Sequence, residues 1–150
     1  MPIKSFRGLI ADNGQDTIVL HTNDGSTGYK VIKFEIIDYA PGTLNTENLI
    51  KMHKIQQPDN IPAGTDLYSK VDFNDQTLLG VGFRAPQYAS GDGNIIFDGE
   101  IFNQDIYITH SDISGNNSLC NYYIELEQIK LDLNENTVAT LKDIRNIASQ

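Results

Sequence analysis

Short apolar runs recur along the whole chain, separated by clusters of Gly, Asn and Asp. In "YKVIKFEIIDY", Ile32, Phe34 and Ile36 take one parity, and Lys33 and Glu35 take the other. That alternation predicts a half-buried antiparallel strand. "KSFRGLI", "TIVLHT", "YSKVDF", "TLLGVGF", "IIF" and "DIYITH" read as further strands. "LIKMHKIQ" alternates too, with Ile50, Met52 and Lys54 set against Lys51, His53 and Ile55. In "NYYIELEQIKL", Tyr122, Ile124 and Leu126 share a face, and Tyr123 takes the other. The phase then shifts to Ile129 and Leu131, as a β-bulge would shift it.

The punctuation supports the same reading. Asn13-Gly14 suits a tight hairpin, and Asp24-Gly25 centres a second turn. Gly80 and Gly82 lie on one face of their strand, which predicts close approach of another backbone. Helical spacing appears only at the C-terminus, in "DLNENTVATLKDIRNIAS". There Asn134 or Asn136 can cap, and Val138, Leu141, Ile144 and Ala148 line one side. Eight to ten short strands with turns between them predict an all-β fold. The expected architecture is an antiparallel β-sandwich, jelly-roll-like or Ig-like, with a short C-terminal helix. At 150 residues the chain fits one domain, residues 1–150.

Charge narrows the partners. The net charge is −9, and the lysines and arginines are scattered singly. An acidic chain without a basic patch repels phosphate backbones and anionic membrane surfaces, so neither nucleic acid nor membrane is an expected partner. No apolar stretch approaches the ~20 residues that span a bilayer. "MPIKSFRGLI" lacks the pattern of a signal peptide, so synthesis in a cytoplasm is expected. The lone Cys120 precedes an apolar run and is expected to be a buried, inert thiol.

Candidate chemistry is sparse. "GEIFNQDIYITHSD" gathers His110 and three acidic residues, but Asp105 and His110 stand at opposite ends of one strand. A solvated strand end is the expectation for His110 and Asp112, since one His-x-Asp pair offers too few metal ligands. A hydrolase reading would use His110, Asp112 or His21 as general base. Glu125 and Glu127 share a strand face and are expected on a solvated or interface surface. "DNGQD", "NDGS", "DFND" and "SGDGN" offer oxygens beside glycines without the spacing of an EF-hand, so they read as turns. Incidental calcium at a subunit contact is the one cofactor expectation. No catalytic, cofactor or metal residue is assigned.

Several segments carry a resemblance: "KSFRGLIADNGQDTIVLHTNDGSTGYKVIKFEI", "VDFNDQTLLGVGF", "IIFDGEIFNQDIYITHSD" and "NYYIELEQIKLDLNENTVATLKDIRN". They resemble small uncharacterised proteins of marine bacteriophages that look like virion structural components. The most specific pieces are "FDGEIFNQDIYIT" and "TVATLKDIRN". The resemblance covers most of the chain and implies a non-enzymatic virion component on a β-sandwich, and it carries over no catalytic residue. A capsid decoration or cement protein, a vertex protein and a spike all fit it; the negative charge favours the capsid exterior, and the first is the leading expectation. Its partners would be the major capsid protein and copies of itself. Phe6, Tyr29, Tyr39, Tyr88, Tyr107 and Ile144 are the candidate contacts, with Phe6 and Ile144 marking the two terminal clips. The alternative is a receptor- or carbohydrate-binding spike or vertex protein, which would use Tyr39, Tyr68, Tyr88 and Tyr107.

Overall fold

The computed structural model describes residues 2–22, 25–42, 45–58, 67–87, 92–97 and 100–132. Over these residues the protein is all-β, with two antiparallel sheets. The expected C-terminal helix lies outside them, as do Tyr88 and Ile144.

The strands are β1 (Ile3–Ile10), β2 (Gln15–Ile18), β3 (Thr27–Asp38), β4 (Asn48–His53), β5 (Leu78–Arg84), β6 (Asp92–Ile96), β7 (Ile106–Asp112) and β8 (Cys120–Lys130). One sheet has the order β1-β8-β3, and the other has the order β2-β7-β4-β5-β6. "YSKVDF" forms no strand: a 3-10 helix at Leu67–Ser69 and a turn occupy it.

Asn13-Gly14 makes a tight turn, but not a hairpin. Gly14 N–H donates to Ala11 O at 2.9 Å, with Asn13 at φ +60°. Its flanking strands do not pair, because β1 joins β8 and β2 joins β7. The turn is a corner where the chain leaves one sheet for the other. Asn13 N–H reaches His110 O, and His110 N–H reaches Gly14 O, which fastens the corner to β7.

Both sheets contribute to one hydrophobic cluster. Phe34, Ile36, Ile124 and Leu126 come from the three-stranded sheet, and Ile50, Met52, Ile106 and Ile108 from the five-stranded one. Each aliphatic chain buried there contributes about 1.5–3 kcal/mol relative to exposure. In β3 the register slips between Val31 and Lys33. Ile32 is therefore the bulged residue and points to solvent, and Val31 takes the inner place expected of it. β8 carries no slip of its own, so the phase shift read at Ile129 is not a bulge in that strand.

Gly80 meets the predicted backbone, whereas Gly82 makes room for side chains. A Cβ at Gly82 would lie 3.2 Å from Ile36 Cγ2 and 2.9 Å from Asn94 Oδ1. A Cβ at Gly80 would lie 3.3 Å from Phe34 and from the Ile95 carbonyl. Bare backbone at these two places lets β3 seat against β5. Gly82→Val is expected to lower stability by about 1–3 kcal/mol, the usual cost of overpacking. Urea unfolding measures it; a neutral result would mean that β3 can retreat at no cost.

β4 is buried on both faces. Its inner face meets the core, and its outer face lies under the β4–β5 connection. Gln15 clamps that connection: its Nε2 donates to Gln57 O at 3.0 Å, and Gln57 N–H donates to its Oε1 at 2.8 Å. Tyr68 is buried and donates its hydroxyl to Pro58 O. Lys51 crosses the face to the carbonyl of Lys70. Beside it, Leu49, Leu78 and Val81 form a smaller outer cluster, with Phe83 and Phe97 packed on it.

Candidate functional site

One end of the core is polar. The inner-face alternation of each strand runs past its last apolar residue onto a polar one. β3 continues Phe34, Ile36 into Asp38, and β4 begins with Asn48 ahead of Ile50 and Met52. β7 continues Ile106, Ile108 into His110 and Asp112, and β5 ends in Arg84. Register then sets Asn48 between Arg84 and Asp112 in one sheet, and Asp38 opposite Cys120 in the other.

Asn48 is the hub and is fully buried. Its Nδ2 donates to Asp38 Oδ1 at 2.7 Å, which ties the two sheets together. Its Oδ1 is 2.8 Å from His110 Nε2 and accepts the Ser118 hydroxyl at 2.9 Å. Arg84 Nε approaches the other Asp38 oxygen at 3.7 Å. Neither that oxygen nor Arg84 Nε nor His110 Nδ1 has a hydrogen bond. Asp112 organises the following turn: it accepts the amides of Glu47, Ser114 and Ser118. Its own N–H donates to Asp12 Oδ1 at 2.7 Å.

Electrostatics follow from that packing. Burial pushes the His110 imidazole below its ordinary value, against the carbonyls of Ala11 and Ile10 and the carboxylates of Asp12 and Asp112. Burial would raise Asp112, but hydrogen bonds from Ser114, Ser118 and Glu47 override it and bring its carboxyl to about 2. Burial pushes the Cys120 thiol up to about 12, as expected of an inert buried cysteine. His110 and Asp112 are therefore not a solvated strand end. They belong to a network joining the two sheets, and the His110 side chain is fully buried. Period-2 counting carried one step further would have placed Asn48, Asp38, His110 and Arg84 inside. The turn-like "NTEN" context hid Asn48.

His21 is placed differently. Its Nδ1 lies 2.7 Å from Asp105 Oδ1, and its side chain is half exposed. The same oxygen accepts the amides of Leu20 and His21. Burial opposes these bonds, but together with the His21 ring they hold the Asp105 carboxyl below the usual range. So the two acidic-stretch residues that share a strand bond to different partners: Asp105 to His21, and His110 to Asn48. Elsewhere Asp75 takes His53 at 3.5 Å and caps Thr77, and Asp72 caps Asn74. That loop, "DFND", behaves as the turn chemistry predicts, whereas Asp92–Asn94 of "SGDGN" are not a turn but the start of β6. No group of three or more His, Cys, Asp or Glu among the described residues is set to hold a metal.

One accessible concavity lies on the outer face of the β1-β8-β3 sheet, and another lies beside Pro2, Thr27 and Ile129. The first is a shallow depression of about 620 Å³ between Leu9 and Ile37, floored by Asn121 and Tyr123, with Arg7 and Glu35 at its sides. Tyr123 donates its hydroxyl to Glu125 Oε2 at 2.6 Å, and Lys33 Nζ lies 5.8 Å from its ring centre.

The candidate contact residues scatter. Tyr29 is 3% exposed and packs against Phe102, so its ring belongs to the core and not to a contact. Phe6 is half-buried and packs on the main cluster, because its parity faces inward opposite Ile124. Tyr107 is half-buried on the outer face of β7. Tyr39 is open to solvent, at 60% exposure. Tyr68, a candidate sugar platform, is buried. The outer-face pair Arg7 and Glu35 went unnoticed in the sequence, because their adjacency exists only across three paired strands.

No family model, no curated protein and no solved structure matches this chain.

Proposed function

We propose that this chain is a non-enzymatic structural protein of a bacteriophage virion. It acts as a capsid decoration or cement protein on the capsid exterior, bound to the major capsid protein and to copies of itself. The observation that carries this reading is the outer face of the β1-β8-β3 sheet. There Leu9 and Ile37 stand in water on either side of Asn121, with Tyr39 just beyond β3 and Ile3 at the far end of β1. Large apolar groups gathered on one face mark assembly contacts. The phage-like segments supply the virion context, and the charge of −9 suits an exterior site away from the genome. Calcium at a subunit contact belongs to the same proposal.

We further read the two sheets as a jelly-roll sandwich. Wrapping a long antiparallel ribbon pairs strand 1 with 8, 2 with 7, 3 with 6 and 4 with 5. The protein makes the first, second and fourth of these pairs. β6 departs from the scheme: it hydrogen-bonds to β5 while lying close to β3. Jelly rolls recur in capsid and lectin domains, so the architecture fits the function without proving it.

The alternative is a receptor- or carbohydrate-binding spike or vertex protein, favoured by the open Tyr39 ring and the Tyr123 depression. Quantitative mass spectrometry of purified virions separates the two. The expected result is about one copy per capsid subunit or per local threefold. A few tens of copies would shift the assignment to a vertex or tail fitting. Absence from the particle would overturn the virion reading.

A further inference from the structure

The outer face of the β1-β8-β3 sheet has an internal order that its exposure alone does not explain. Register reads it as rows across β1, β8 and β3: Leu9–Asn121–Ile37, then Arg7–Tyr123–Glu35. Ser5–Glu125–Lys33 and Ile3–Glu127–Lys30 follow. Each of the first two rows has matched ends. One carries aliphatic groups on both sides, and the other carries a cation on β1 and an anion on β3.

We propose that this face is the contact of an isologous homodimer, with its two-fold axis lying between the faces and parallel to β8. That rotation reverses every row. Arg7 of one copy then meets Glu35 of the other, Leu9 meets Ile37, and both contacts occur twice. Tyr123 meets its own copy on the axis. A two-fold perpendicular to the strands sets β1 against β1 and β3 against β3, so it would not pair Arg7 with Glu35. An interface of this kind must be self-complementary in this way.

Charge selects a second copy as the occupant. The chain carries −9 overall, yet this face carries three cations, Arg7, Lys30 and Lys33, and three anions, Glu35, Glu125 and Glu127. It is a neutral platform on an acidic protein, where two copies can approach without net repulsion. The axis also brings Lys33 and Lys30 of one copy beside Glu125 and Glu127 of the other. The like-charge pairs on the central strand are thereby offset. The face is three strands wide and about eight residues long, or roughly 14 by 27 Å. That footprint, roughly 380 Å² a side, is smaller than a stable interface needs, so the dimer is weak and depends on concentration.

This inference deepens the self-association named above and does not depend on a virion location. Sedimentation equilibrium of the full chain tests it over about 1 µM to 1 mM. The expected result is a monomer–dimer equilibrium that Arg7→Glu weakens by about tenfold or more, and Glu35→Arg likewise. The double exchange, Arg7→Glu with Glu35→Arg, is expected to restore affinity to within about threefold, since it regenerates both ion pairs. All these positions lie on the sheet surface, and matching thermal melts confirm folding. A chain that stays monomeric overturns the proposal, and so does a dimer that the single exchanges leave unchanged or the double exchange fails to restore. A different oligomer that ignores Arg7→Glu removes this face but keeps the self-association reading. A glycan-array signal lost on Tyr123→Ala in a monomeric chain would assign the face to a saccharide and overturn the dimer.

Discussion

Asn48→Leu is expected to lower the unfolding free energy by about 3–5 kcal/mol, the range for breaking a buried charged network. Leucine matches the shape of asparagine and offers no polar atom. It would leave Asp38 Oδ1 without its 2.7 Å donor, in a place where the other Asp38 oxygen already lacks a hydrogen bond. It would also strand His110 Nε2 and the Ser118 hydroxyl. Stranded buried groups cost their full desolvation penalty, and a carboxylate costs most. For a domain of this length the midpoint of thermal unfolding should drop by about 10 °C or more. Urea titration should show the loss with an unchanged m-value, because the exposed surface on unfolding is the same. A loss below about 1 kcal/mol would mean that water replaces the amide and that the hub carries no structural role.

Acid should unfold the protein in two steps. The first belongs to His110, whose folded imidazole binds a proton less readily than an unfolded one. As pH falls below about 6.5, the unfolded chain gains a proton that the folded chain refuses, and stability drops. The second step belongs to carboxylates. Asp112 is held at about 2 against an ordinary 3.8, and Asp105 and Asp75 are lowered as well. Their stabilisation is complete above about pH 4 and is lost as pH falls through the folded values; Asp112 alone contributes roughly 2 kcal/mol. Desolvation pushes both residue types toward their neutral forms. It disfavours the charged histidine, whereas the aspartates keep their charge because three or more donors surround each. His110→Gln retains a donor for Asn48 and should erase the first step while leaving the second. Stability measured by urea unfolding from pH 7 to pH 2 would show this. A single step, or one that His110→Gln leaves unmoved, would contradict the assignment.

Alternation along each strand determined a great deal. It named most of the strands, though only Thr17 and Ile18 of "TIVLHT" lie in β2 and "YSKVDF" forms none, and it split Tyr122 from Tyr123 and put Gly80 and Gly82 on one face. Those are statements about faces, and faces follow from the period-2 geometry of a single strand. Pairing does not. Asn13-Gly14 has the residues of a hairpin, yet β1 and β2 go to different sheets. Both have better partners about a hundred residues away, in β8 and β7. The bulge at Ile32 arises from fitting β3 to β8, so it reversed the expected inner residue without leaving a local mark. Tyr29 became core because Phe102, far along the chain, exchanges backbone hydrogen bonds with it. The polar network has the same origin. Asp38, Asn48, Arg84 and His110 each sit at a strand end that looks soluble alone. Only the meeting of four strand ends from two sheets buries Asp38, Asn48 and His110 and sets Arg84, a third exposed, beside Asp38.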